Sequence, residues 1–461
     1  MTCAGPASCS GTRPWRWRVA EPRGFLEVRR RTAGYRPVAA RLRDHREQAL
    51  APPAGLAREQ ARRCMDCGVP FCHSGCPLGN AIPDWNELVR LGGWQQAAAR
   101  LAATNNFPEL TGKLCPAPCE EACVLSLNDE PVTIKQIELA IAQRAFDEGW
   151  VRPQPPARRS GHRVAVVGSG PAGLAAAQQL TRAGHAVTVF ERDELAGGLL
   201  RFGIPDYKLE KATVDRRIEQ MEAEGTRFEL GCEVDRDMRG EFIAVVLATG
   251  AQRHRELDLP GRGLAGVEPA LPYLTGGNRA VAGLPQRRPR PDVRGRHVVV
   301  LGAGDTSADC LGTCLREGAA SVTEVAHGER PPAQRDPQRT WPEWPRVLRS
   351  HPVHDEGGSR EWRFETARFV GERSRLTGLE DEHGQVLRAD VALLAIGFAG
   401  VEPGRVLEAH GATISAQGTL DPNPAAGVFA AGDCVLGADL IVSAIAQGRM
   451  AAAAVEQHLA A

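Results

Sequence analysis

Lysine is almost missing from this chain of 461 residues: only Lys113, Lys135, Lys208 and Lys211 occur among its 56 basic residues. The preference for arginine runs through the whole sequence, so a single arginine carries little weight as a functional signal. Net charge is missing as well, with 56 acidic residues against the 56 basic ones, which argues against a general nucleic-acid binder. No run of 18 apolar residues occurs, and residues 1–20 lack the apolar middle of a secretion signal. Membrane-spanning and secreted readings therefore fall away. What remains is an ordinary soluble composition, 43% hydrophobic and 24% charged, in a length that suggests about three domains at roughly 150 residues each.

Cysteine, by contrast, is plentiful, with 13 in all and seven of them between residues 64 and 123. A dense cluster followed by a cysteine-poor region points to metal binding rather than to a disulfide framework. Residues 1–63 hold 14 Arg against 5 Asp plus Glu; this stretch reads either as solvated charge on a loosely ordered arm or as a docking surface for an acidic partner. The cysteine region ends in an expected helix, Lys135 to Glu148, with Ile137, Ala140, Ile141 and Ala145 at helical spacing. Arg152 to Ser160 reads as an exposed linker because its prolines block helix and central strand. A second Pro/Arg-rich break runs from Gly283 to Arg296. After each break come a β-branched run, a glycine-rich turn and an alanine-rich helix, the mark of two dinucleotide-binding domains.

In the first of these, Val164 to Val167 is a buried strand feeding Gly168-Ser-Gly170-Pro171-Ala172-Gly173. Gly168 suits the tight turn, Gly170 lets a pyrophosphate approach the backbone, and Gly173 lets helix and strand pack closely. The helix N-terminus offers free N–H groups to phosphate. Glu191 closes the next strand, where a carboxylate can receive ribose hydroxyls. In the second, Gly302 and Gly304 are followed by Asp305, Thr306 and, at the third glycine position, Ser307. Its next strand ends in Val-Ala-His rather than an acid, with Arg330 and Arg335 beyond, which favours NADPH over NADH. Three further segments suit FAD at the first turn: Gly198, Leu199 and Arg201 after Glu191, Thr249-Gly250 at a strand end, and Gly432-Asp433, whose carboxylate can bond the ribityl chain. A helix from Leu440 to Ala454 could aim its N-terminus at the flavin ring.

The clustered cysteines form two runs, Cys64, Cys67, Cys72 and Cys76 before Pro77, then Cys115, Cys119 and Cys123. Thiolates crowded on a Gly/Pro-rich backbone suit iron–sulfur clusters, while a four-sulfur zinc site needs only four of them. Where a cysteine precedes proline at the end of such a run, it can serve the neighbouring cluster. On that logic Cys64, Cys67 and Cys72 share a cluster with Cys123, and Cys76, Cys115 and Cys119 hold a second, one ligand short. Glu138 is the candidate for the missing oxygen ligand; its plainer reading is an ordinary solvated helix glutamate.

With these motifs the chain resembles the small (β) subunit of bacterial glutamate synthase and the related reductase module of dihydropyrimidine dehydrogenase. The likeness covers about residues 21 to 460, and its most specific stretches are Arg63 to Asn80, Thr104 to Glu120 and Gly198 to Pro205. It implies an α/β protein with two Rossmann-like domains behind a helical iron–sulfur domain. The expected division is a disordered extension at 1–20, two 4Fe-4S clusters within 21–152, an FAD domain in 161–290 and 397–461, and an NAD(P)H domain between them at 291–396. It also aligns Glu138 with a non-cysteine cluster ligand of the dehydrogenase module. Two departures stand out: Thr111 lies where some members carry a further cysteine, and Ser307 where alanine is usual.

The activity so implied is electron input: NADPH reduces FAD, the clusters carry electrons onward, and a large subunit makes glutamate from glutamine and 2-oxoglutarate. Hydride transfer demands no acid–base side chain, so no catalytic residue is named. The expected assembly is a hetero-oligomer in the cytoplasm, without nucleic acid or membrane. A differently partnered reductase would share every motif. A disulfide reductase would need Cys310 and Cys314 as a redox pair, and an inactive scaffold would not need intact glycine turns. Cys3 and Cys9 read as unpaired tail thiols.

Overall fold

The structure, a computed structural model, describes residues 23–336 and 341–460. The expected extension at 1–20, with Cys3 and Cys9, lies outside the described residues. Up to Asp147 the elements are helical, chiefly Ala54–Ala61, Ile82–Leu91, Trp94–Ala102, Pro108–Leu114 and Ile134–Asp147. They enclose a core that includes Ile82, Trp85, Val89, Leu101, Ile137 and Ile141. The last helix begins and ends one residue before its expected bounds. Helices Pro108–Leu114 and Ile134–Asp147 cross so closely that a Cβ on Gly112 would lie 2.9 Å from the Leu139 Cα. That crossing sets Thr111 beside Glu138.

The first parallel sheet runs in the order Val428–Ala430, Ala244–Leu247, Arg163–Val167, Ala186–Glu191, Arg227–Leu230. The second runs Val267–Pro269, Val391–Leu394, His297–Leu301, Ser321–Ala326, Ser359–Trp362. Both carry the central strand, glycine turn and helix expected of dinucleotide-binding domains, and the first is interrupted in sequence by the second. A short antiparallel pair, Arg253–His254 with Phe398–Gly400, ties the outgoing and returning crossings together.

This pairing corrects one expected boundary. Strand Val267–Pro269 pairs with Val391–Leu394, and Ala270, Tyr273 and Leu274 of the following helix share a core with Val298 and Val300. The second domain therefore begins near residue 255 rather than 291. The Pro/Arg-rich stretch from 283 to 296 is an exposed connection inside it, because prolines mark where backbone is unpaired rather than where a core ends. The expected break at 396/397 lies beside the returning crossing.

The basic segment is also not simply solvated charge. Arg41 is buried and meets Glu356 at 3.2 Å, and Glu356 in turn meets Arg316 of the second dinucleotide domain at 2.5 Å. Arg30 pairs with Glu120 and Arg36 with Asp44, each at 2.6 Å. These arginines are committed within the molecule instead of being offered to a partner. Between the first sheet and the helical region, Arg217 and Glu109 form a buried pair at 2.7 Å. Among the described residues no helix is long and apolar enough to cross a membrane.

Candidate functional site

Around the first glycine turn, each glycine has a separate reason. Gly168 has φ of 104°, and a Cβ there would lie 2.3 Å from the Ala248 carbonyl oxygen. A Cβ on Gly173 would lie 2.0 Å from the Gly168 carbonyl oxygen, so helix and strand approach as closely as backbone permits. On Gly170 it would meet nothing within 4 Å; packing leaves that face of the turn open, over the N-terminus of helix Pro171–Ala183. Glu191 is buried and receives the Ser169 backbone N–H at 3.1 Å, the Ser169 hydroxyl and the Asp193 N–H at 2.9 Å. Its carboxylate is thus fixed at the turn.

The other expected flavin residues gather at the same turn. A Cβ on Gly198 would lie 2.9 Å from the Gly170 Cα, and one on Gly432 would lie 2.6 Å from the Ala172 Cβ. Leu199 opens the short helix Leu199–Phe202. In that helix Arg201 is buried, donating to the Ala196 carbonyl at 2.6 Å and pairing with Asp215; its side chain braces the turn. Two polar groups in the crevice stand out, one with no partner and one desolvated although the Asp439 backbone hydrogen-bonds it. The Thr249 hydroxyl, next to Gly250, is buried with no hydrogen-bond partner. The Asp433 carboxyl is pushed up to about 7 by desolvation, with the neighbouring Asp439 carboxylate adding to the rise. An orphaned hydroxyl and a desolvated carboxyl suit a ligand rich in hydroxyls, and these residues fit FAD.

The second turn repeats the plan with one exchange. Gly302 has φ of 136°, and a Cβ would lie 2.3 Å from the Ala395 carbonyl oxygen; Gly304 is again open. Asp305 and Thr306 begin helix Asp305–Arg316. Ser307, in the third position, is buried, its hydroxyl 2.8 Å from the Gly302 carbonyl and 2.6 Å from Glu324 Oε1. Glu324 also takes His354 Nε2 at 2.9 Å and Arg360 at 3.2 Å. The acid of this strand is therefore drawn under the turn, away from the strand end. Arg330 is exposed beyond that strand. Arg335 is diverted to the helical region, where it meets the Glu121 carbonyl at 3.3 Å. Cys310 and Cys314 are fully buried in the core with thiols raised by desolvation, which removes the disulfide-reductase reading because a redox thiol must ionise.

The seven clustered cysteines divide between two recesses. Cys64, Cys67, Cys72 and Cys123 line one of about 350 Å³, counting its open side, with Arg63 and Asn86 in its wall. Cys76, Cys115 and Cys119 line a second of about 320 Å³ with Glu138, Thr111, Lys135 and Val442. Desolvation pushes Cys64 up to about 11 and both Cys72 and Cys115 up to about 12, so thiolates here need cationic company. Among the described residues no three His, Cys, Asp or Glu side chains close on a point fit for one metal ion. Four thiols around one recess, and three thiols with a carboxylate around the other, fit iron–sulfur clusters.

Glu138 is buried, not solvated. Its Oε1 takes the Thr111 hydroxyl and the Asn105 amide, the latter at 3.2 Å, and burial pushes its carboxyl up to about 7. Two donors thus orient a carboxylate at the edge of the second recess, where it fits an oxygen ligand. Sequence reading missed Asn86, Asn105, Lys135 and the bracing role of Thr111. None of them stands in a spaced pattern, and a polar residue on a helix shows its burial only once its neighbours are known.

The two kinds of site adjoin. Val442, in the first turn of helix Ile441–Ala460, forms part of the second recess wall. Just before that turn, the Asp439 backbone hydrogen-bonds Asp433 in the flavin crevice. The second recess is therefore the one next to the crevice.

Residues 41–150 match the family described as dihydropyrimidine dehydrogenase domain II, 4Fe-4S cluster. Residues 162–448 match pyridine nucleotide-disulphide oxidoreductase. The chain is 49% identical to a glutamate synthase (NADPH) small chain of Mycobacterium tuberculosis, over 96% of each chain. It is 39% identical to the Bacillus subtilis protein of that name, over 96% of this chain and 99% of the other. A Saccharomyces cerevisiae glutamate synthase (NADH) is also 39% identical over 96% of this chain, which there accounts for 22% of a much longer polypeptide.

Proposed function

The chain belongs to the family of glutamate synthase small chains, and from that premise we propose that it is the electron-input subunit of such an enzyme. It oxidises NADPH and delivers the electrons, through FAD and two 4Fe-4S clusters, to a large subunit that forms L-glutamate from glutamine and 2-oxoglutarate. The observation that carries this reading is the start of helix Ile441–Ala460, where Asp439 just before it hydrogen-bonds Asp433 of the crevice and Val442 in its first turn lines the recess of Cys76, Cys115 and Cys119. FAD, when bound, supplies the change from two-electron hydride chemistry to single-electron transfer.

The residues of the chain bind and orient. Gly168, Gly170, Pro171, Ala172 and Gly173 receive the flavin pyrophosphate at a helix N-terminus, Glu191 takes ribose hydroxyls, and Thr249 and Asp433 take polar groups of the same ligand. Gly198, Leu199, Arg201, Gly250 and Gly432 shape the crevice wall. Gly302, Gly304, Asp305 and Thr306 hold NADPH, and Arg330 serves its 2′-phosphate; Glu324, occupied by Ser307, His354 and Arg360, does not compete for that end. Cys64, Cys67, Cys72 and Cys123 ligate one cluster; Cys76, Cys115, Cys119 and Glu138 ligate the other. The yeast relative, a glutamate synthase (NADH) of which the matching part is 22% of one longer polypeptide, supports a large-subunit partner and a hetero-oligomer. Cytoplasmic residence follows from the need of so many free thiols for a reducing compartment.

The test is anaerobic purification with iron, sulfide and FAD analysis, followed by NADPH titration and addition of a large subunit. About eight iron atoms and one FAD per chain are expected, with NADPH bleaching the flavin and glutamate forming only when both subunits are present. Dye reduction by NADPH without glutamate formation would favour a differently partnered reductase, and zinc in place of iron would end the electron-transfer account.

A further inference from the structure

Asn86 sits in the middle of an otherwise apolar buried face. On helix Ile82–Leu91 the residues turned inward are Ile82, Pro83, Trp85, Asn86 and Val89. Asn86 is completely buried, and neither Nδ2 nor Oδ1 of its amide has a hydrogen-bond partner. An amide without partners in such a place is expensive, and a leucine would fill the space without that cost. The side chain forms part of the wall of the first recess. Its amide stands beside the Cys64 thiol, short of ordinary hydrogen-bond geometry. Of the other polar groups in that wall, Arg63 uses both terminal nitrogens on Val28, Asp129 and Glu130 and keeps only Nε unpaired. The second recess handles polarity differently, since Thr111 in its wall donates to Glu138, and Asn105, outside the wall, donates to both.

We propose that the Asn86 amide is a hydrogen-bond donor to the sulfur of an iron–sulfur cluster in the first recess, and that it raises the reduction potential of that cluster alone. The proposal rests on the cluster reading above. Electron-rich sulfur turns the Nδ2 end of the amide inward and the Oδ1 end away. An N–H donated to cluster sulfur stabilises the reduced form more, because that form carries one more negative charge, so the bond favours reduction.

The full chain with its cofactors, prepared anaerobically, tests this through potentials rather than turnover. In Asn86→Leu one of the two cluster midpoints falls, expected as about a tenfold change in the reduced-to-oxidised ratio at fixed potential, ~59 mV for one electron. The second midpoint and the flavin stay in place. Asn86→Gln, which keeps the donor, retains most of the wild-type value. With asparagine labelled by 15N in the side-chain amide, pulsed EPR of the reduced wild-type protein shows a nitrogen coupling that Asn86→Leu lacks. The wild-type coupling decides the matter even where the leucine variant fails to hold iron. Unchanged midpoints in an iron-replete Asn86→Leu protein, or no amide coupling in the wild type, overturn the donor role and leave the cluster reading standing. Wild-type protein without iron overturns both, and iron analysis tells the two failures apart.

Discussion

Four thiols line the first recess, and three thiols with a carboxylate line the second, yet both draw on the same two stretches of chain. The run from Cys64 to Cys76 sends its first three cysteines one way and its last the other. The run from Cys115 to Cys123 does the reverse. Neither recess can form from one run alone, so the loops, the crossing helices and both ligand sets must be assembled together. The walls differ as sharply as the ligands agree: the first is apolar but for Asn86 and Arg63, while the second carries Lys135, Thr111 and Glu138 and touches the flavin domain through Val442. On the proposed reading, the recess beside the Asp433 crevice would receive electrons from the flavin and the other would carry them on.

Removing one ligand from each side tests that division most strongly. Cys119→Ser and Cys67→Ser should each cost about half of the iron, and either should lower glutamate formation with the large subunit by about 100-fold or more. NADPH should still bleach the flavin in both, because neither cysteine reaches the dinucleotide sites. Loss of all iron in either variant, measured by metal analysis after gel filtration, would mean that the recesses are not separate sites.

A smaller effect is expected from the carboxylate that breaks the symmetry. Glu138→Ala should strip the second cluster under mild chelation while Glu138→Gln retains it, since an amide oxygen can still approach iron. Thr111→Val removes the donor that orients Glu138 and should speed iron loss roughly 10-fold, in the range of outer-shell partners of metal ligands. Equal iron retention by Glu138→Ala and the parent, followed at the cluster absorbance, would return Glu138 to a merely buried glutamate.

The contrast between recesses also separates what was legible in the sequence from what was not. Cysteines announce themselves by spacing, and the rule that a pre-proline cysteine serves the neighbouring cluster divided them as the recesses do. Glycine turns are legible for a similar reason: Gly168 and Gly302 are each forced by a carbonyl at the end of the neighbouring strand, and the strand–turn–helix order around them is local. Long-range facts were hidden. The pairing of Val267–Pro269 with Val391–Leu394 joins segments over 120 residues apart and moved a domain boundary to the other side of a helix. Arg335 belonged by sequence to the NADPH strand end, yet it is held by Glu121 of the helical region. Asn86 looked like an ordinary helix residue, and Glu138, though a candidate ligand, had a solvated reading beside it, because nothing within a few positions records which face is covered.

The smallest and most selective change concerns charge. Lys135, at the start of helix Ile134–Asp147, is half-buried in the wall of the second recess. Burial lowers the ionisation of its ammonium, and the anionic groups of Cys115 and Glu120 work against that loss. Among the described residues the first recess has no equivalent free cation in its wall, because the Arg63 guanidinium is answered by Asp129 and by the Val28 and Glu130 carbonyls. A positive charge beside one cluster should favour its reduction over that of the other. Lys135→Met should therefore lower the midpoint of the cluster next to the flavin by about 1 kcal/mol, a roughly fivefold shift in the reduced-to-oxidised ratio. Lys135→Arg should preserve it, and the remaining cluster should not move. EPR-monitored titration of the three proteins reads both midpoints at once. A fall in both would make the ammonium a general feature of the helical region's field, whereas a fall in one alone would mean that the single lysine of that helix sets the order in which the two recesses fill.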